Sequence, residues 1–258
     1  FVAMLLLLSS CGSVPLTGRK QVLLVSDQEV LLSSLTQYSD YMKSAKKSSS
    51  KDGAAMVTRV GKKIAAATEQ YLRNNGLESE IKNFAWEFNL VNDPQVNAFC
   101  MPGGKIVVYE GLMQLVSSDD ELAVVVGHEV AHAVAKHSNE RMSQQLMAQY
   151  GAQILGQALS NKSAAVQKIG ASVYGLGAQY GVMLPFSRKH ESEADYMGLV
   201  FMAMAGYNPA VAVNFWQKMS AGKSGSTPEF MSTHPSDATR INEIKQHLPE
   251  IEKYRVKK

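Results

Sequence analysis

Apolar and polar positions along the chain repeat with two periods. Phe84-Ala85-Trp86-Glu87-Phe88-Asn89-Leu90 alternates, the period-2 mark of a half-buried strand. Asn92-Asp93-Pro94 turns the chain, and the stretches 96–101 and 105–109 flank Pro102-Gly103-Gly104, which predicts a hairpin. Most of the remainder repeats at helical spacing. Ser26-Asp27-Gln28-Glu29 has the form of a capping box and predicts a helix to about residue 46. A polar, Ser-rich linker over 46–53 separates it from a second helix over roughly 54–74. Ser118-Asp119-Asp120-Glu121 has the same form and predicts a helix through about His137. Helical patterns follow at about 140–159, 163–178, 188–205, 209–220 and 236–247. Among them, 148–184 is rich in Gly and Ala and holds no acidic residue, which suits either a movable lid over a cleft or plain close packing of helices. The pattern predicts an α+β class, mainly α, with one small sheet.

Composition narrows the picture. The chain has 258 residues, 45% hydrophobic and 19% charged, enough to bury a core without disulfide staples. A net charge of +3 with no Lys/Arg-rich run excludes the basic field of a nucleic-acid-binding protein. Only Cys11 and Cys100 occur, which excludes a disulfide framework and leaves Cys100 as a buried small hydrophobe. Residues 2–8 form an apolar run too short to span a bilayer, and Leu8-Ser9-Ser10-Cys11 resembles a bacterial lipobox. Residues 1–10 thus read as the remnant of a signal peptide with Cys11 the lipidated residue, and 11–25 as a tether containing Pro15 and Gly18. An N-terminal helix and linker over 26–51 precede the main domain over 52–251. This N-terminus predicts a lipid-anchored cell-envelope protein facing the periplasm, in the outer membrane because Gly12 rather than Asp follows Cys11.

The chemistry concentrates in His128-Glu129-Val130-Ala131-His132, an H-E-x-x-H sequence inside the helix predicted over 118–137. Positions i and i+4 share a helix face, so both imidazoles can meet one Zn²⁺, with Glu129 placed to act on a water there. The other side of that helix is apolar (Leu122, Val125, Val126, Val130), so the helix is buried, and bare histidines and a carboxylate there would cost desolvation energy. A third ligand at position 138 fails, because Ser138 stands there and His137 is one residue out of step. A later helix offers Glu191 and Asp195, which share a face, whereas Glu193 points away. Glu191 then completes the ligand set, and Asp195 accepts the other ring N–H of a ligating histidine, His128.

H-E-x-x-H followed by E-x-x-x-D resembles the metallopeptidase family of HtpX and the CAAX prenyl protease. Asn97-Ala98-Phe99 with Pro102-Gly103-Gly104, and Thr233-His234-Pro235 with Arg240-Ile241, are similar to further motifs of that family in the same order. Thr17-Gly18-Arg19-Lys20-Gln21 after a lipobox is similar to its soluble, lipid-anchored members of the BepA and LoiP type. The resemblance implies a zincin-like fold with a small sheet packed against the H-E-x-x-H helix, over 52–251, and one Zn²⁺ per chain. It implies an endopeptidase with Glu129 as general base and His234 either stabilising the oxyanion or approaching the metal at rest. The implied partners are unfolded or misassembled envelope proteins, besides a membrane reached through Cys11. The strand Lys105, Ile106, Val107, Val108 and Tyr109 would pair with substrate if it presents an exposed edge. Two rivals stay open: a chaperone-like binding protein using the same cleft with structural zinc, and a structural lipoprotein without metal.

Overall fold

The computed structural model describes residues 11–178, 184–221, 230, 234 and 238–256; the signal residues 1–10, together with Thr233 and Pro235, lie outside the described residues. From the N-terminus, β1 (Cys11–Ser13) and β2 (Lys20–Val22) pair as an antiparallel ribbon. The capping box forms as written: Ser26 accepts from the Glu29 N–H, the Glu29 side chain accepts from the Ser26 N–H, and α1 (Asp27–Ser44) follows. Ser50 caps α2 (Lys51–Asn74), and a single turn, α3 (Glu78–Ile81), leads to β3 (Glu87–Val91), β4 (Ala98–Met101) and β5 (Lys105–Tyr109). Another single turn, α4 (Glu110–Met113), precedes α5 (Asp119–Val134), which Ser118 caps by accepting from the Glu121 N–H. The helices α6 (His137–Ala158), α7 (Ala164–Ala178), α8 (Leu184–Met204), α9 (Val211–Ala221) and α10 (Ala238–Ile251) complete the described elements. The class is α+β and mainly α, with the sheet packed on α5. Among the described residues no helix is long and apolar enough to cross a membrane.

The sheet has the order β3-β5-β4, with β3 parallel to β5 and β4 antiparallel to it. Gly103 and Gly104 take positive φ in the turn between β4 and β5, which a side chain would resist. Every residue of β5 is buried. This corrects the expectation of a substrate-pairing edge at Lys105–Tyr109: β5 is the central strand, its backbone engaged on both sides. The continuous run Ile106-Val107-Val108 is the pattern of a strand covered on both faces, and the edge strands are β3 and β4. Residues 11–25 are likewise packed rather than trailing as a tether. Val14 and Gln21 are buried, and the Leu24 N–H donates to Ser143 Oγ at 2.8 Å. The Ser-rich stretch after α1 also finds partners, since the Ser48 N–H donates to the Leu90 carbonyl and Asn92 N–H to that of Lys46.

The core closes around α5, where the side chains from Leu122 to Val126 and Val130 are all buried. Its main neighbour is α8, and the two helices cross with Gly127 against Gly198. A Cβ on Gly198 would lie 2.7 Å from the Gly127 carbonyl carbon and from the His128 backbone nitrogen. The α5 helix ends because Lys136 adopts φ 57°, a left-handed conformation uncommon outside glycine. Its ammonium holds that turn to Asp27 (2.6 Å) and Glu80 (2.8 Å). The chain therefore breaks four residues past His132 and starts α6 in a new direction, where a single helix through His137 was expected.

Gly198→Ala is expected to lower thermal stability by about 1–3 kcal/mol, because backbone cannot yield as a flexible side chain can. Gly156→Ala, in α6 with nothing within 4 Å of where its methyl group would sit, is expected to be neutral or slightly stabilising. Melting curves that show the two variants alike would count against a contact-limited crossing.

Candidate metal centre

The crossing of α5 and α8 decides which side chains meet. His128 follows Gly127 directly, and His132 lies one turn further along the same face. On α8, Glu191, Asp195 and Gly198 fall at i, i+4 and i+7, so the face that touches α5 also carries both carboxylates. His128, His132, Glu191 and His234 each direct one donor atom at a common point, all within 4.8 Å of one another. His128 Nε2 is 3.0 Å from His132 Nε2 and 3.3 Å from Glu191 Oε2, and His132 Nε2 is 3.5 Å from Glu191 Oε1. His234 Nδ1 stands 3.1 Å from Glu191 Oε2 and 3.3 Å from His128 Nε2. A tetrahedral ion with ligand bonds of roughly 2.0–2.1 Å needs donors about 3.3 Å apart, and these spacings straddle that value.

Hydrogen bonding on the far side of each ring shows what the near side offers. Asp195 Oδ1 lies 3.0 Å from His128 Nδ1, so that nitrogen donates to the carboxylate and Nε2 turns its lone pair inward. Asp195 is itself clamped by Arg240, Nε to Oδ2 at 2.6 Å and Nη2 to Oδ1 at 2.9 Å. Burial raises the pKa of Asp195, but the charge of Arg240 and the bond from His128 outweigh it and keep the group ionised. Burial alone would depress His128, yet hydrogen bonds to Asp195 and Glu191 lift it to about 9. The carboxylates around His128 thus favour positive charge at this point of the site. Glu191 is held far below the ordinary carboxylate range, with hydrogen bonds from His128 and His234 overcoming its burial. Burial, aided by the charge on His128, pushes His132 well down and favours its neutral form.

His132 is supported differently. The break at Lys136 swings His137 back, and its Nδ1 lies 2.8 Å from His132 Nδ1. His137 Nε2 in turn lies 2.9 Å from Glu193 Oε2, so Glu193, which faces away from the donor cluster, still reaches it through one intervening ring. Neither His137 nor Arg240 carries a role in the spacing argument; the only trace of His137 was a histidine one position out of step.

Glu129 completes the set. Its Oε2 accepts from the Cys100 N–H on β4 at 3.1 Å, while Oε1 is buried and makes no hydrogen bond among the described residues. Cys100 therefore bears on the site through its backbone, and burial pushes its thiol well up. An orphaned carboxylate oxygen beside four convergent donors is the environment a metal-held water would satisfy. The residues fit Zn²⁺.

Residues 58–248 match the sequence profile described as Peptidase family M48. The chain belongs to peptidase family M48. Within M48 it is 36% identical to the mitochondrial metalloendopeptidase OMA1 of Schizosaccharomyces pombe over 205 residues, 76% of this chain and 53% of that protein. It is 40% identical to the Arabidopsis thaliana protein of that name over 168 residues, 65% of this chain and 33% of the relative. It is also 33% identical to the beta-barrel assembly-enhancing protease of Yersinia pestis over 174 residues, 63% and 36% of the two chains. This M48 chain spans about half, or less, of the length of these curated relatives. The M48 relatives of mitochondrial name correct the expected outer-membrane, periplasm-facing location. A four-residue lipobox likeness carries far less information than two hundred aligned positions.

Glu191→Ala is expected to abolish stoichiometric zinc binding. Asp195→Asn should weaken it about 10–100-fold, the usual cost of losing the partner that orients a ligand. Competition against a chromogenic chelator measures both, and unchanged affinity in Glu191→Ala would remove that residue from the ligand set.

Proposed function

We propose that this chain is a zinc-dependent endopeptidase acting on extended segments of unfolded or misassembled proteins. His128, His132 and Glu191 would hold the metal and Glu129 would be the general base. One observation carries the reading: Glu129 Oε1, buried beside the donor cluster with no hydrogen-bond partner among the described residues and 3.5 Å from His234 Nε2, while Oε2 is already fixed by Cys100.

When bound, zinc supplies Lewis acidity that acidifies water and polarises a carbonyl. Everything else falls to the chain. Glu129 Oε1 takes the proton of the attacking water and returns it to the leaving amine. Burial raises its pKa, with the charges of His234 and His128 opposing, so the group is able to hold that proton between the two transfers. Asp195 and Arg240 keep the His128 ring from turning. The substrate's route is set by β4: it is an edge strand, and its Cys100 N–H faces Glu129. A peptide paired along that edge by main-chain bonds arrives beside the general base with little demand on its sequence, which suits unfolded protein as substrate.

His234 supports the resting-state role of the two left open. Its ring stacks on Phe230 at 4.6 Å, its N–H donates to the Phe230 carbonyl at 2.8 Å, and its Nδ1 sits among the ligands. Four protein donors make a closed site, whereas a hydrolytic one keeps a position open. His234 would thus cap the metal until substrate displaces it.

Glu129→Gln is expected to retain one zinc per chain and lose casein cleavage. Cleavage by that variant would overturn the general-base assignment, and zinc binding by a wild type that never cleaves would favour the chaperone-like clamp. His234→Ala should raise the casein rate several-fold with zinc still bound. A fall of about 10²-fold or more would instead make His234 the oxyanion's stabiliser.

A further inference from the structure

The two ligating histidines are braced in parallel ways, and only one brace is local. His128 leans on Asp195 and Arg240. His132 leans on His137, and behind His137 stands a buried cluster closed by the N-terminal turn. Glu193 accepts from His137 Nε2 at 2.9 Å, from Arg19 Nε at 2.9 Å and from the Thr17 hydroxyl at 2.5 Å. The remaining fork of Arg19 reaches a second carboxylate, Nη1 and Nη2 donating to Glu140 Oε1 and Oε2 at 2.9 and 2.7 Å. Glu140 also takes His190 Nε2 at 2.9 Å, and the His190 ring stacks on His137 at 4.2 Å with only 14° between planes. A single guanidinium therefore fixes His137 twice: through the carboxylate on its ring nitrogen, and through the ring lying on its face.

We propose that Arg19 is a positioning residue of the metal centre, locking a relay through Glu193 and His137 that orients His132 toward the ion. The turn carrying it is held by its own backbone, with Val14 N–H donating to the Arg19 carbonyl and Gly18 N–H to that of Val14. Glu140, Glu193, His137 and His190 are buried, whereas the Arg19 side chain keeps 22% of its surface exposed. Without Arg19, the buried Glu193 and Glu140 would lose the cation they share, and His137 would lose the group that fixes the carboxylate setting its tautomer. Lysine cannot replace it, because the site uses the planar fork on two carboxylates at once. The inference rests on the zinc reading above.

The test is zinc affinity by chelator competition, read beside the melting temperature of the metal-free protein and the visible spectrum of the cobalt-substituted form. Arg19→Ala is expected to weaken zinc binding about 10–100-fold and to shift the cobalt bands. Arg19→Lys should fall between it and wild type. Arg59→Ala, which breaks a comparable paired contact to Asp119 at the far end of α5, should leave zinc affinity and the cobalt bands unchanged. Arg19→Ala and Glu193→Gln should be non-additive in affinity, as members of one chain of contacts. Should Arg19→Ala fail to fold, the cobalt spectrum of Arg19→Lys carries the test. A lowered melting temperature with affinity within twofold of wild type and unmoved cobalt bands would overturn the proposal, leaving Arg19 merely structural. If wild type binds no zinc, or Glu191→Ala binds as tightly as wild type, the zinc reading itself falls and the relay with it.

Discussion

Two helices touching backbone to backbone set the geometry on which the rest depends. With glycine at both 127 and 198, α5 and α8 approach closely enough that side chains from one residue to two turns away from the contact converge instead of passing each other. Glycine inside a helix costs about 0.5–1 kcal/mol each relative to alanine, and the surrounding apolar packing offsets that. Convergence has an electrostatic cost as well, since imidazoles and carboxylates crowd a water-poor interior. The chain answers it with guanidinium groups that each serve two acids: Arg240 on Asp195 and Glu191, Arg19 on Glu140 and Glu193.

What was legible in the sequence was local. Helical periodicity and two Ser-x-x-Glu starts located α1 and α5, the i, i+4 rule put His128 with His132 and Glu191 with Asp195, and Pro102-Gly103-Gly104 marked the turn between β4 and β5. The strand order was not legible, because pairing β3 parallel to β5 is a contact between segments separated by β4, and nothing within either segment records it. The weak alternation of 105–109 was the one available sign that this strand has neighbours on both sides.

The docking of residues 11–22 escaped for a related reason. Arg19 finds its partners 121 and 174 residues away, and a Thr-Gly-Arg sequence read alone is a polar turn. Lys136 was hidden differently: its neighbours are good helix formers, and only tertiary contacts to Asp27 and Glu80 make a left-handed lysine tolerable there. Six histidines in the whole chain, five of them gathered around one buried point, is a concentration that position along the sequence does not display.

The centre draws on the ninth residue after Ser10 as much as on the helix that opens at Ala238. The two guanidinium groups that aim the histidines thus stand 221 positions apart, Arg19 near one end of the described residues and Arg240 near the other, so a cut that removes either segment would leave the histidines in place without one of the groups that brace them.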